Sequence, residues 1–220
     1  MNADTEAERR TVRIEVEGDA IVGDLHVPAD ARGVVAFAHG SGSSRHSSRN
    51  QQVAHALVDA GFATLLMDLL TTREEEIDLR TRELRFDIGL LAGRVARAID
   101  WLRDDARVGG LPIGLFGAST GAAAALVAAA ERPDAVASVV SRGGRPDLAG
   151  DALPEVAAPT LLIVGGADVP VIGMNEDAMA RMPGEVSLEI VPGATHLFEE
   201  PGALEQVADL ATDHFDRTLR

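Results

Sequence analysis

The sequence predicts an α/β protein with a mostly parallel sheet covered by helices on both faces. Continuous apolar runs such as Gly33–Ala38 and Ala63–Met67 have the composition of strands that are buried on both faces. Amphipathic segments with helical spacing alternate with these runs, as in successive βαβ units. The first two strands, Thr11–Val16 and Ala20–Val27, are separated only by Glu17-Gly18-Asp19, which predicts an antiparallel hairpin at one edge of the sheet.

The later elements follow in the same alternating order. The further predicted strands are Pro112–Phe116, Ala135–Val140, Thr160–Val164 and Val186–Val191, and the predicted helices are Asn50–Ala60, Leu84–Asp104, Thr120–Glu131, Asn175–Arg181 and Ala203–Thr218. Residues 68–83 are predicted to be a charged connection. A chain of 220 residues suits one compact domain, so we expect residues 1–220 to form a single domain with residues 1–10 as a flexible tail.

Three missing residue types restrict the chemistry. The chain has no Cys and no Tyr, and all of its 20 basic residues are Arg. Disulfides, thiolate metal sites, cysteine nucleophiles and Schiff-base lysines are therefore excluded. The remaining nucleophiles are Ser, Thr, Asp, Glu and His, and we expect neither a metal nor an organic cofactor.

The net charge of −15 argues against nucleic acid or an anionic membrane as the main partner. No apolar run approaches the roughly 20 residues of a membrane span. Residues 1–10 are polar and acidic, unlike a signal peptide. We therefore expect a cytoplasmic protein, and the sequence contains no signal for its oligomeric state.

The segment Gly117-Ala118-Ser119-Thr120-Gly121 joins a predicted strand to an alanine-rich helix. This Gly-x-Ser-x-Gly pattern is typical of a sharp turn that raises a serine hydroxyl above the end of a sheet. The two glycines allow strand and helix to approach closely, because a Cβ at either position would meet the neighbouring backbone. The pattern predicts an acid and a histidine later in the chain, each just after a strand.

Both expected partners of Ser119 are present in that order. Asp168 follows the strand Thr160–Val164, and His196 follows the strand Val186–Val191. Because the carboxyl ends of parallel strands lie along one edge of a sheet, we expect the three side chains to meet there. His196 would accept the serine proton, and Asp168 would orient the imidazole and stabilise its charged form.

An acyl transfer also needs donors for the oxyanion of the tetrahedral intermediate. We assign the backbone N–H groups of Ser41, in the loop after Gly33–Ala38, and of Thr120. Asp168 could instead be a plain turn residue, with Asp147 or Asp151 as the acid. His39 precedes the serine in the chain, so we interpret it as a residue that organises its loop. The other histidines considered, interpreted as surface or packing residues, are His26, His55 and His214.

Four segments carry a resemblance to a known family: His39–Gly42, Gly117–Gly121, Gly165–Asp168 and Gly193–Phe198. With the order of strands, they resemble the α/β-hydrolase fold, and specifically the dienelactone hydrolase family, from about Gly33 to Phe215. The resemblance implies a three-layer α/β-hydrolase fold and a serine-type ester or lactone hydrolase.

The chain departs from the family at its nucleophile. Dienelactone hydrolase proper uses a cysteine, which this chain lacks, so that enzyme's substrate, a small unsaturated lactone with a carboxylate, is not carried over. The sequence is more similar to the serine-containing relatives, some of which are fused to phosphoribosyltransferase domains. We expect no such domain within these 220 residues.

The segment Ser141–Pro159, where larger hydrolases insert a cap domain, is predicted to be a short loop. We therefore expect an open site without a cap domain. Arg45 and Arg142 are candidates for binding a carboxylate or phosphate of the substrate, because both follow strands that end at the active edge. The alternative is that such arginines pair with nearby acids.

These observations predict a serine hydrolase that cleaves small carboxylic esters or lactones through an acyl-enzyme intermediate. Two alternatives remain open. One is a ligand-binding protein on the same fold that has no catalytic activity. The other is an acyltransferase or peptidase that uses the same three residues.

Overall fold

The computed structural model describes residues 7–220, and these residues are organised around one eight-stranded sheet of order β1-β2-β4-β3-β5-β6-β7-β8. The strands are β1 (Glu8–Val16), β2 (Asp19–Val27), β3 (Val34–Ala38), β4 (Ala63–Met67), β5 (Ile113–Ala118), β6 (Val136–Arg142), β7 (Thr160–Gly165) and β8 (Val186–Val191).

The sheet is parallel from β4 through β3 to β8, and it is antiparallel at its N-terminal edge. Strand β2 pairs antiparallel with both β1 and β4. All other neighbouring strands are parallel. The predicted sheet and its edge hairpin are therefore confirmed.

The N-terminal prediction is wrong in part. Strand β1 begins at Glu8, which pairs with Val27 of β2, so residues 8–10 belong to the sheet rather than to a flexible tail. Pairing with a neighbouring strand satisfies their backbone hydrogen bonds, whatever the polarity of their side chains. Residues 1–6 of the predicted tail lie outside the described residues.

Within residues 7–220, six α-helices pack around the sheet. They are α1 (Ser48–Asp59), α2 (Thr72–Thr81), α3 (Ile88–Asp104), α4 (Thr120–Glu131), α5 (Val169–Met179) and α6 (Ala203–Thr218). Helices α3 and α4 pack into one apolar core, whereas α1 and α6 pack into another on the opposite face. The result is the predicted three-layer α/β-hydrolase fold.

Helix α4 is buried on almost every side because it consists mainly of alanine. Its residues Ala122–Leu126, together with Ala128 and Ala129, are at most 2% exposed. Their small side chains allow the helix to lie close to the sheet, to α3 and to the segment Pro146–Glu155. Close packing of this kind leaves little room for larger side chains.

Two segments that were predicted as loops contain helical structure. Residues 68–83 contain α2, which begins with a capping box between Thr71 and Glu74. Residues Pro146–Glu155 form 3₁₀ turns with a kink at Gly150. A separate 3₁₀ turn covers Leu84–Phe86, the predicted start of the helix Leu84–Asp104, and α3 itself begins only at Ile88. The connection from β6 to β7 therefore remains short, as expected for a fold without a cap domain. No helix within residues 7–220 has the length and apolar character that a membrane span requires.

Candidate active site

Ser119 lies at the turn between β5 and α4 in a strained backbone conformation, with φ +51° and ψ −121°. This region strongly favours glycine. The neighbouring glycines explain how the turn closes, since a Cβ at Gly117 would collide with the main chain of Ala122. A Cβ at Gly121 would collide with the carbonyl of Ala38. Local strain imposed by close packing is typical of functional sites.

The end of β6 also holds the turn from its other side. The N–H of Ser119 donates to the carbonyl of Arg142 at 3.3 Å, and the N–H of Arg145 donates to the carbonyl of Ser119 at 3.1 Å. Both polar groups of the Ser119 backbone are therefore occupied by this neighbouring segment. Its hydroxyl is left to interact across the sheet edge.

The structure brings Ser119, His196 and Asp168 together in one chain of contacts. The Nδ1 atom of His196 lies 2.7 Å from Oδ2 of Asp168, and its Nε2 atom lies 3.4 Å from Oγ of Ser119. The shorter contact identifies Nδ1 as the protonated nitrogen when the imidazole is neutral, because a carboxylate only accepts. Nε2 then has a free lone pair directed at the serine hydroxyl.

A backbone hydrogen bond joins the loop that carries Asp168 to the loop that carries His196, and a second hydrogen bond closes the histidine loop on itself. The N–H of Ala167 donates to the carbonyl of Ala194 at 2.9 Å, and the N–H of Thr195 donates to Oε2 of Glu200 at 3.1 Å. A Cβ at Gly165 would collide with the Ala194 carbonyl, so only glycine permits this approach. Phe198 anchors the end of the loop, being 2% exposed.

The two predicted oxyanion donors lie beside the nucleophile. Thr120 directly follows Ser119, and a Cβ on Gly40, the residue before Ser41, would lie 3.1 Å from the Cβ of Ser119. Within residues 7–220, the backbone N–H groups of Ser41 and Thr120 have no hydrogen-bond acceptor. Both groups are therefore available as donors to a bound ligand.

His39 forms no hydrogen bond with Ser119 among the described residues. Its Nδ1 atom lies 2.9 Å from the carbonyl of Gly40, and its Nε2 atom accepts the N–H of Leu69 at 3.2 Å. Burial lowers the pKa of His39, which favours the neutral ring that these contacts require. The structure thus fits the interpretation of His39 as a residue that organises its loop.

The alternative acids lie in other interactions. Asp147 forms two hydrogen bonds with Arg145, at 2.8 and 2.7 Å, and the fully exposed Asp151 lies 3.8 Å from Arg181. Neither interacts with His196. In the part of the chain that the structure describes, no group of three or more His, Asp and Glu side chains is placed to hold a metal ion.

Arg45, a candidate for substrate binding, is paired with two carboxylates. Its guanidinium pairs with Asp24 at 3.1 Å and with Asp68, and its backbone N–H donates to Asp68 at 2.9 Å. Two carboxylates therefore neutralise this cation and fix it between β2 and the loop after β4. These contacts match the alternative interpretation, in which such an arginine pairs with nearby acids, and they hold the loop that contains Ser41.

Arg142 is in the opposite situation. It is 8% exposed, and within residues 7–220 the only hydrogen bond of its side chain joins Nη2 to Oδ1 of Asn50 at 3.4 Å. Its Nε and Nη1 atoms have no partner among the described residues, and its guanidinium lies 6.0 Å from the ring centre of Phe198. Burial, with a smaller contribution from the charge of Arg49, lowers its pKa to about 10. Arg142 is therefore a buried cation at neutral pH that has no carboxylate partner in the part of the chain that the structure describes.

Asn50 was not identified from the sequence. It is 2% exposed in the first turn of α1, where it contacts Arg142. The polar run Ser47-Ser48-Arg49-Asn50 indicates only a helix start, so no signal in the sequence distinguishes the buried residue from its neighbours.

Comparisons with known proteins agree with this architecture. The family model described as "Dienelactone hydrolase family" matches residues 20–220. The crystal structure of a dienelactone hydrolase from Anabaena variabilis is 60% identical, with a TM-score of 0.96 over 98% of this chain and 100% of that one. Est1E from Butyrivibrio proteoclasticus, solved with ferulic acid bound, is 16% identical with a TM-score of 0.80, over 94% of this chain and 98% of that one. This last likeness concerns the fold alone.

Two curated relatives from strains of Mycobacterium tuberculosis carry a different name. Both are provisionally named phosphoribosyl transferases and are 60% identical over 195 residues. The match covers 89% of this chain but only 43% of each relative, so the chain spans less than half of their length. The family match, which extends over most of the chain, supports hydrolase activity for the shared part. The chain belongs to the dienelactone hydrolase family.

Proposed function

We propose that this protein is a serine hydrolase that cleaves small carboxylic esters or lactones through an acyl-enzyme. The observation that carries the proposal is the continuous contact from Asp168 through His196 to Ser119, at 2.7 and 3.4 Å. The same order of roles defines serine hydrolases on unrelated folds. Family membership supports the hydrolase class.

In the proposed mechanism, Ser119 attacks the carbonyl carbon while Nε2 of His196 takes its proton. Asp168 stabilises the imidazolium that forms. The N–H groups of Ser41 and Thr120 stabilise the oxyanion, and collapse of the intermediate passes the proton from His196 to the leaving oxygen. Water then attacks the acyl-enzyme with His196 as base, which releases the acid and restores Ser119.

A fluorophosphonate probe and p-nitrophenyl acetate test this proposal. We expect labelling and turnover by the wild-type protein and by Ser187→Ala, which alters an exposed serine on β8. Ser119→Ala should lose both. Unlabelled wild-type protein would favour the ligand-binding alternative. Release of p-nitrophenol without free acetate would instead favour an acyltransferase.

We further propose that Arg142 binds an anionic group of the substrate, such as a carboxylate. The observation behind this proposal is its burial without a carboxylate partner, because an uncompensated buried charge is destabilising by several kcal/mol in general. Such a residue is retained where a ligand supplies the opposite charge. Arg45 and Arg145 lack this property, since both pair with carboxylates.

The test compares an anionic with a neutral ester of the same acyl length. In Arg142→Met, which keeps the apolar stem, kcat/KM for a hemisuccinate aryl ester should fall about tenfold or more, the effect of losing a charged hydrogen bond. The neutral butyrate ester should change less than threefold. Arg145→Met is the matched control. Equal losses on both esters would contradict the assignment of Arg142.

A further inference from the structure

We infer that His39 is a positioning residue that sets the direction of the Ser41 oxyanion donor by holding the Gly40 carbonyl. This inference rests on the proposed function, because it concerns the same catalytic site. Among the described residues, the ring of His39 hydrogen-bonds to backbone groups of Gly40 and Leu69 and to neither Ser119 nor His196, so its contribution would act through the backbone.

The first step is the protonation state of the ring. The N–H of Leu69 is only a donor, so Nε2 of His39, at 3.2 Å, must be an unprotonated acceptor. The single proton of the neutral ring therefore resides on Nδ1. From there it is donated to the Gly40 carbonyl at 2.9 Å. One pair of contacts thus determines the tautomer without reference to the reaction.

The second step concerns the peptide unit between Gly40 and Ser41. This unit is planar and trans, so its carbonyl and its N–H point in opposite directions. A hydrogen bond that holds the Gly40 carbonyl against His39 therefore also holds the Ser41 N–H away from His39. That N–H has no acceptor among the described residues, and its peptide unit begins at Gly40, where an added Cβ would lie 3.1 Å from the Cβ of Ser119.

The third step sets the expected size of the effect. The Gly40 carbonyl has a second donor, the N–H of Ser43 at 3.2 Å, in a turn where Gly42 has φ +71°. Loss of a whole oxyanion donor lowers kcat by about 10²–10³. Since the Ser43 bond would remain, we expect misorientation rather than loss, with a fall in kcat of about 10–30-fold.

Two substitutions separate the two ring nitrogens. His39→Asn places an amide N–H at the position of Nδ1 and loses the contact with Leu69. His39→Gln places its amide at the position of Nε2 and loses the donor to Gly40. Both variants remove one hydrogen bond, so a purely structural role predicts similar melting temperatures and similar activities.

The inference predicts a split instead. His39→Gln should lower kcat for p-nitrophenyl acetate about 10–30-fold with KM changed less than threefold, and should weaken inhibition by an alkyl trifluoromethyl ketone by the same factor. His39→Asn should retain kcat within about threefold. Equal kcat values in the two variants, or a loss confined to KM, would overturn the inference. Absence of Ser119-dependent turnover in the wild-type protein would instead refute the proposed function.

Discussion

Replacement of Ser119 by glycine should make the protein inactive but more stable. At φ +51° and ψ −121°, Ser119 occupies a region that glycine adopts without steric cost. Strain at such positions is on the order of 1–3 kcal/mol. Glycine also gains up to about 1 kcal/mol of conformational entropy in the unfolded chain, which offsets part of the relief. The net gain is about 1 kcal/mol.

Ser119→Ala is the matched control, because alanine removes the same hydroxyl but keeps the Cβ that causes the strain. In a chain of this size, about 1 kcal/mol corresponds to roughly 2–4 °C in Tm. Differential scanning calorimetry should therefore place Ser119→Gly about 2–4 °C above Ser119→Ala, with no turnover by either. A glycine variant that melts at or below the alanine variant would refute the assignment of strain to this backbone.

Three further outcomes are expected. Asp168→Asn should lower kcat by about 10⁴ in a p-nitrophenyl ester assay, because the amide favours the wrong imidazole tautomer, and a loss below tenfold would contradict its role. Gly121→Ala should prevent soluble expression or strongly lower the urea midpoint of unfolding, because its Cβ would collide with the backbone. Gly93→Ala in α3, where an added Cβ meets no atom within 4 Å, should instead raise the free energy of unfolding by about 0.5–1 kcal/mol. Burial lowers the pKa values of His39 and His214, so at acidic pH the unfolded chain binds more protons than the folded protein does. The free energy of unfolding should therefore be highest above about pH 6.5 and decline below it. Urea midpoints measured at pH 7.5 and 5.5 test this expectation, and equal midpoints would refute it.

The elements with strong apolar patterns were predicted almost to the residue. Ala63–Met67, Thr120–Glu131 and Ala203–Thr218 have the same bounds in the sequence prediction and in the structure. The buried strand and the alanine helix are revealed by their apolar composition, and Ala203–Thr218 by the helical spacing of its buried apolar residues. Helix α2 was missed because its only buried residue is Asp78, which pairs with Arg85 at 2.6 Å instead of contributing to an apolar face.

Helix starts were predicted less well than helix interiors. Helix α5 begins at Val169, six residues before the predicted start at Asn175. The prediction missed its first turns because their β-branched residues are typical of strands, and because Pro170, which is tolerated in the first turn of a helix, is otherwise a sign of a loop. Among the candidate site residues, chain order and the positions of the strand ends were enough to predict that Ser119, Asp168 and His196 lie close together, as they do in the structure. The different situations of Arg45 and Arg142 depend on which acids fold beside them, and local sequence does not contain that information.

The dense packing of helix α4 restricts how this scaffold can diversify. Most alanine methyl groups in that helix are buried in close packing, so a larger residue there would disturb the helix that directly follows the nucleophile. Variation is better tolerated at exposed positions outside this helix. Libraries for laboratory evolution would therefore leave the alanine helix constant and vary exposed apolar residues such as Leu79 in α2 and Leu148 in the segment Pro146–Glu155.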